Sequence, residues 1–210
     1  GIIWLTPQMD RLFIGQRTDR RKFFDKLVCL IEPSHEKNIN DYNRLIMQRN
    51  RVLVDMDDKK SWLDKIEKQI SKIAANILIS RQIATNRLNK IMDAEVKNNL
   101  FPPAKIVMRE ELGDINTRSS MIEIEAQLQK LFFQSRIKDR DTFRTNVGPH
   151  RTDFTLYYNK NDMYAENCST GEQKNLLVSV ILAEARVYQE INNGISPILL
   201  LDEITAHMDN

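Results

Sequence analysis

The feature that most constrains this chain is a short apolar run, Ile198-Leu199-Leu200-Leu201, that ends in two acids, Asp202 and Glu203. A run with no polar face predicts a strand buried on both sides of a mostly parallel sheet. In such sheets ligands collect at the carboxyl ends of the strands. Upstream, Ser169-Thr170-Gly171-Glu172 opens an amphipathic run. Serine at the N-cap with glutamate three residues on is a capping box. N–H groups left over at a helix start attract anions, and glycine permits close backbone approach. Ser169 and the N–H groups around Gly171 are therefore candidate phosphate contacts. Asp202 suits a metal ligand acting through water. Glu203, one residue on and aimed elsewhere, suits a base that orients or deprotonates an attacking water. The plainer alternative is a buried strand whose acid caps the next turn.

Composition narrows the class. The chain has 210 residues, 41% hydrophobic and 29% charged, with room for one large or two small domains. A net charge of +2 supplies no global basic field that would demand nucleic acid. Only 6 glycines suit long helices better than a loop-rich β fold. Cys29 and Cys168 lack CxxC spacing, which predicts unbridged thiols in a reducing compartment, and the 3 histidines show no metal-ligand spacing. No apolar run approaches the roughly 18 residues of a membrane span, and no signal peptide is visible. The expected location is cytoplasmic. The chain opens in mid-strand at Ile2-Ile3-Trp4-Leu5 without a methionine, and reads as a piece of something longer.

In chain order, 2–5 is a strand, and Gln8 sits in the loop after it. A helix is expected over 17–31, with Phe23, Phe24, Leu27, Val28 and Ile31 on one side. Ser34 is an N-cap candidate for a second helix, 35–54. The longest periodic stretch is 61–98. With Leu63 at heptad position a, Ile70, Ile77, Ala84 and Ile91 repeat it, while Ile66 and Ile73 fall at d. Ser80 and Arg87 break the d series, so a short helical arm and a core-facing bundle helix remain open together. A strand over 104–108, a helix over 121–138, a turn over 146–153 and a strand over 154–158 follow. Arg20, Arg21, Arg136, Arg140, Arg144 and Arg151 read either as solvated faces or as contacts to an acidic partner.

Together, Asn167-Cys168-Ser169-Thr170-Gly171-Glu172-Gln173-Lys174, the strand ending in Asp202-Glu203, and Ala206-His207-Met208-Asp209 resemble the signature motif, Walker B strand and D-loop of an ABC-type ATPase head. Their wording is most similar to the RecF family of SMC-like bacterial DNA-repair ATPases. The stretch from Trp4 through Gln8 to Phe13 resembles that family's Q-loop region. Arg20-Arg21-Lys22-Phe23-Phe24-Asp25, Gln48-Arg49-Asn50-Arg51 and Val147-Gly148-Pro149-His150-Arg151-Thr152-Asp153 carry the same resemblance. Met208 stands where leucine is commoner.

The resemblance implies an α/β fold, a partial ABC-type ATPase head over 1–19 and 146–210. An α-helical, short coiled-coil-like arm over 20–145 would be inserted into it. It implies ATP and Mg²⁺, with Asp202 on the metal through water, Glu203 as catalytic base, and Gln8 reaching the metal or its water. Ser169, Thr170, Gly171, Glu172 and Asp209 would meet nucleotide across an ATP-dependent homodimer. Single- and double-stranded DNA, RecR and RecO are the implied partners, in gap repair, replication and the SOS response, with no membrane. The six arginines would then line a phosphate-facing surface. No G-x-x-x-x-G-K-S/T occurs in the chain. The Walker A lysine is thus expected upstream of Gly1, with weak ATP hydrolysis by the complete protein and not by this stretch alone. An ABC transporter ATPase subunit is the rival, but the stretch from Gln8 to Ser169 is too long for its compact helical subdomain. A truncated, non-functional remnant is the other.

Overall fold

The structure is a computed structural model that describes residues 1–54, 59–98, 101–109, 115 and 119–201, apart from the side chains of Pro7 and Gln8. Its elements are β1 (Ile2–Leu5), α1 (Arg17–Ile31), α2 (His35–Val54), α3 (Lys60–Lys97), β2 (Ala104–Arg109), α4 (Met121–Asp141), β3 (Asp153–Tyr158), β4 (Met163–Tyr164), α5 (Thr170–Ile191) and β5 (Ile198–Leu201). Short 3-10 turns lie at Pro7–Arg11, Pro149–Arg151 and Ala165–Asn167. The chain forms two compact units, Gly1–Ile31 with Ile83–Arg109 and Asp153–Asn210, and Glu32–Gln82 with Glu110–Thr152. The sequence reading put its corresponding limits at 20 and 145. Cys29 and Cys168 form no disulfide. Among the described residues, no helix is long and apolar enough to cross a membrane.

In the first unit β1 and β5 pair in parallel, with Leu5 opposite Leu201, while β2, β3 and β4 form a separate antiparallel sheet in that order. α1 forms because Phe24, Leu27 and Val28 recur at helical spacing and are buried. Phe24 stacks on Phe154 with ring centroids 3.9 Å apart. α5 buries Leu176, Leu177, Val180, Ile181, Ala183 and Val187 in the same core. In β3 Thr155 is as buried as its neighbours Phe154 and Leu156, so the strand does not alternate. The reason is the Ala165–Asn167 turn, whose Glu166 accepts a hydrogen bond from the Thr155 hydroxyl at 2.8 Å.

β5 departs from expectation. Ile198 and Leu200 are 62% and 53% exposed, not buried on both sides. Among the described residues its sheet has two strands, and Ile2 and Trp4 of β1 are open on it too. β2 is an edge strand that is protected differently. Asn89 of α3 donates from Nδ2 to the Ile106 carbonyl at 3.0 Å and accepts from the Ile106 N–H at 2.8 Å. One amide side chain thus replaces a neighbouring strand.

The second unit contains α2, the first part of α3, and α4, which starts at a Ser120–Glu123 capping box. Leu63, Ile66, Ile70 and Ile77 are buried as the heptad pattern predicts. Ala74, Ala75 and Leu78 are buried as well, and so are Ser80, Glu67 and Arg81. The buried stripe is wider than a coiled-coil seam, which makes α3 a core-facing helix. Arg49 sits at zero exposure with every guanidinium N–H used. Nε donates to Glu67, Nη1 to Asp139 and Thr145, and Nη2 to the Phe132 carbonyl and Ser135. Such satisfaction is what a buried charge needs.

A second polar joint closes the unit. His150 Nε2 faces the Thr145 carbonyl at 3.0 Å, so that nitrogen carries the proton and donates. Nδ1 then accepts from the buried Tyr42 hydroxyl at 2.7 Å. Burial pushes the Tyr42 phenol well above its ordinary pKa and keeps it protonated. Gly148 lies against this pair with φ +120, and a Cβ there would stand 2.3 Å from the Tyr42 oxygen. Tyr42 is locked by burial and by His150, so it has no room to yield. Gly148→Ala should therefore destabilise the protein by about 2 kcal/mol or more, read from denaturant unfolding. Adding Tyr42→Phe, which removes the clashing oxygen, should return part of that loss; strictly additive losses would show that the clash is not its source.

Candidate functional site

α5 begins where the sequence placed it. Ser169 is the N-cap, its Oγ accepting from the Glu172 N–H at 3.3 Å. Glu172 Oε2 accepts from the Ser169 N–H and hydroxyl, both at 2.9 Å. Its Oε1 takes the Asn161 side-chain amide at 2.6 Å, from the turn between β3 and β4. These hydrogen bonds, the Ser169 backbone N–H first, hold the Glu172 carboxyl below its usual pKa and keep it charged. Gln173 Nε2 donates to the Cys168 carbonyl at 2.9 Å and fixes the approach to the cap. The N–H groups of Thr170 and Gly171 make no hydrogen bond among the described residues. Two free donors at the start of a 22-residue helix form an anion-accepting end.

The Pro7–Arg11 turn, which carries Gln8, lies against this helix. Met9 is packed on the core, and Asp10 Oδ2 is 3.9 Å from Lys174 Nζ of α5, a nearly buried ammonium. The Gln8 side chain lies outside the description. Because β1 and β5 are parallel and in register at Leu5 and Leu201, both strands end at the same edge of their sheet. Asp202, Glu203 and Asp209 lie outside the described residues. Among the described residues no group of three His, Cys, Asp or Glu is placed to hold a metal.

The six arginines separate. Arg20 is committed internally, since Nε and Nη2 bind Asp153 at 2.7 and 2.8 Å and Nη1 binds the Phe13 and Gly15 carbonyls. Burial alone would raise the Asp153 carboxyl, but the Arg20 hydrogen bonds and charge outweigh it and hold it low. Arg136 is 7% exposed in its side chain and binds both Glu67 oxygens and Asp64. These two were expected on a phosphate-facing surface. They bind the buried carboxylates Asp153 and Glu67 instead. Arg21 is half-buried, with Nη2 3.5 Å from the Thr18 hydroxyl. Arg140 is half-buried beside Asp141 at 3.9 Å. Arg144 is exposed and Arg151 half-buried, neither with an acidic partner among the described residues.

Residues that the sequence reading did not single out also shape the site. Asn161, Lys174 with Asp10, and Asp153 are examples, and all but Asn161 lay in strings already marked by their wording.

No family model matches the chain. It is 38% identical over 208 residues to the DNA replication and repair protein RecF of Rhizobium leguminosarum bv. trifolii (strain WSM2304), covering 99% of this chain and 55% of that protein. The RecF proteins of Mesorhizobium japonicum and Brucella abortus (strain 2308) are each 38% identical over 99% of this chain. The chain thus spans about half the length of the curated relatives it matches. Among solved structures it is similar to the recombination mediator protein RecF-ATPrS in the RecFOR pathway, with TM-score 0.81 and 21% identity over 99% of this chain and 56% of that one. The corresponding RecF-ATP structure gives TM-score 0.83 and 20% identity over 100% and 57%. The fold is accordingly that of these RecF structures, α/β with a high helical content. Along nearly its whole length the chain is similar in sequence to part of the RecF proteins, and it shares the fold of the solved RecF structures.

Proposed function

We propose that this chain is part of a DNA-binding ATPase that acts in recombinational DNA repair and replication, in gap repair and the SOS response. The observation that carries the reading is the capped start of α5, with two unused N–H donors, in a chain 38% identical to a DNA replication and repair protein over 99% of its length. Ser169, Thr170, Gly171 and Glu172 would face the terminal phosphate of an ATP held by a second copy, so nucleotide would draw two copies together on DNA. The residues fit such a group, because an anion completes donors that are otherwise unsatisfied. Mg²⁺ with ATP would supply charge neutralisation on the phosphates. Asp202 would hold the metal through water, Glu203 would take the proton of the attacking water, and Gln8 and Asp209 would complete the interface. Glu32–Gln82 with Glu110–Thr152 would be the helical arm of this head. Single- and double-stranded DNA, RecR and RecO are its proposed partners, and the cytoplasm its place.

Three experiments on the protein in its full natural length test this. Glu203→Gln should keep ATP-induced dimerisation while hydrolysis falls about 10²–10⁴-fold, the scale of losing a general base; normal turnover would put the base elsewhere. Ser169→Arg should leave ATP binding to the monomer intact and abolish dimerisation and hydrolysis. Mixing it with a phosphate-loop mutant should restore partial activity, since each mixed dimer keeps one undamaged site.

For DNA, Arg21→Ala should flatten the log–log salt dependence of binding by roughly 0.9, one phosphate's share, with thermal stability unchanged. Arg20→Ala should instead lower stability by about 2–3 kcal/mol, because the buried Asp153 carboxylate keeps only the Phe154 N–H and the more distant Arg17. An Arg21→Ala slope equal to wild type would return Arg21 to a solvated face.

A further inference from the structure

The end of α4 presents a side chain that its fold gives no reason to present. Phe143 follows the C-cap Thr142, is 76% exposed, and has φ +52. That position after a helix is ordinarily glycine's, and a bulky residue in the left-handed region is strained. The strain is held by a built turn. The Arg144 N–H donates to the Asp139 carbonyl at 3.1 Å. The Asn146 side-chain amide donates to Thr142 Oγ1, the Arg144 carbonyl and Asp139 Oδ1 at 2.7, 3.0 and 3.0 Å. Asp139 has zero exposure and is itself held by Arg49 at 2.7 Å. The turn is therefore pre-organised, and it holds an aromatic ring in water.

The surroundings indicate what the ring is for. Phe133 and Ile137, four residues apart on α4, are also open, at 53% and 64%. Lys138, Arg140 and Arg144 flank Phe143 in the chain; of the two acids among them Asp139 is buried, which leaves Asp141 at the surface. An exposed ring among cations matches a nucleic-acid strand, since the ring's face takes a base and the cations take the phosphates beside it. In an intact duplex every base is already stacked, so the ring selects DNA with an unpaired base. We infer that Phe143 is a base-stacking residue that recognises unpaired DNA while Lys138, Arg140 and Arg144 hold the flanking phosphates. The inference rests on the DNA-binding reading above and adds to it a residue and a preference.

The test uses the protein in its full natural length, a single-stranded oligonucleotide carrying 2-aminopurine, and a duplex closed by hairpins at both ends. The wild type should quench the 2-aminopurine on binding. Phe143→Gly should weaken single-strand binding roughly five- to a hundredfold, the scale of losing one aromatic–base stack, and should abolish the quench. Its affinity for the closed duplex should be unchanged. Glycine accepts φ +52, so its melting temperature should equal or exceed wild type, which separates lost stacking from unfolding. Phe143→Trp should keep both binding and quench. If Phe143→Gly binds and quenches as wild type does, the inference is wrong, and an acidic protein partner becomes the better account of the patch. If the wild type binds neither DNA, the DNA-binding reading itself falls, and this inference with it.

Discussion

Arg49 has no contact with water, and each of its N–H groups is spent on a partner within the second unit. It ties α2 to α3 through Glu67, to α4 through Asp139, Ser135 and the Phe132 carbonyl, and to the following segment through Thr145. Arg136 shares Glu67 and also binds Asp64, so two guanidinium groups and three acids form one network. Buried ion networks of this kind often stabilise no more than well-packed apolar side chains would. Their effect here is positional. Three helices can slide on an apolar interface at modest cost, but not without breaking charge-assisted bonds that have no replacement in the core. That register fixes Asp139, and Asp139 fixes the turn that carries Phe143.

Much of the local structure was legible because it rests on short-range rules. The limits of α1, α2 and α3 follow from apolar periodicity, and the start of α5 from four residues of capping chemistry. The heptad positions of α3 predicted which side is buried but not how wide the buried stripe is. Width depends on what packs on either flank, and that is non-local. The exposure of β5 failed for the same reason. Ile198 to Leu201 states that the strand seeks burial, and the sheet among the described residues supplies only β1 beside it.

The site was legible in part. Ser169 and Glu172 form the expected cap, while the carboxylates after β5 lie outside the described residues. Charged residues misled most. Arg20, Arg49, Arg81, Arg136 and Lys174 look like surface in a linear reading, and each is largely withdrawn from water by a partner distant in sequence. The strings marked by their wording hold part of this buried polar structure. Arg49 lies in one, and Gly148, His150 and Asp153 in another. Their specificity reflects buried polar geometry, where no similar residue substitutes, as much as contact with a ligand.

Asn89 bears on a different hazard. The outward peptide of Ile106 on an edge strand is an open template on which another chain can add a strand, and Asn89 occupies both its donor and its acceptor. The three-stranded sheet is thereby closed at the middle of its exposed edge. Aspartate at this position would nearly match asparagine in size, but it could only accept. The Ile106 carbonyl would be released, and edge-to-edge aggregation would become available through a change that leaves the hydrophobic core untouched.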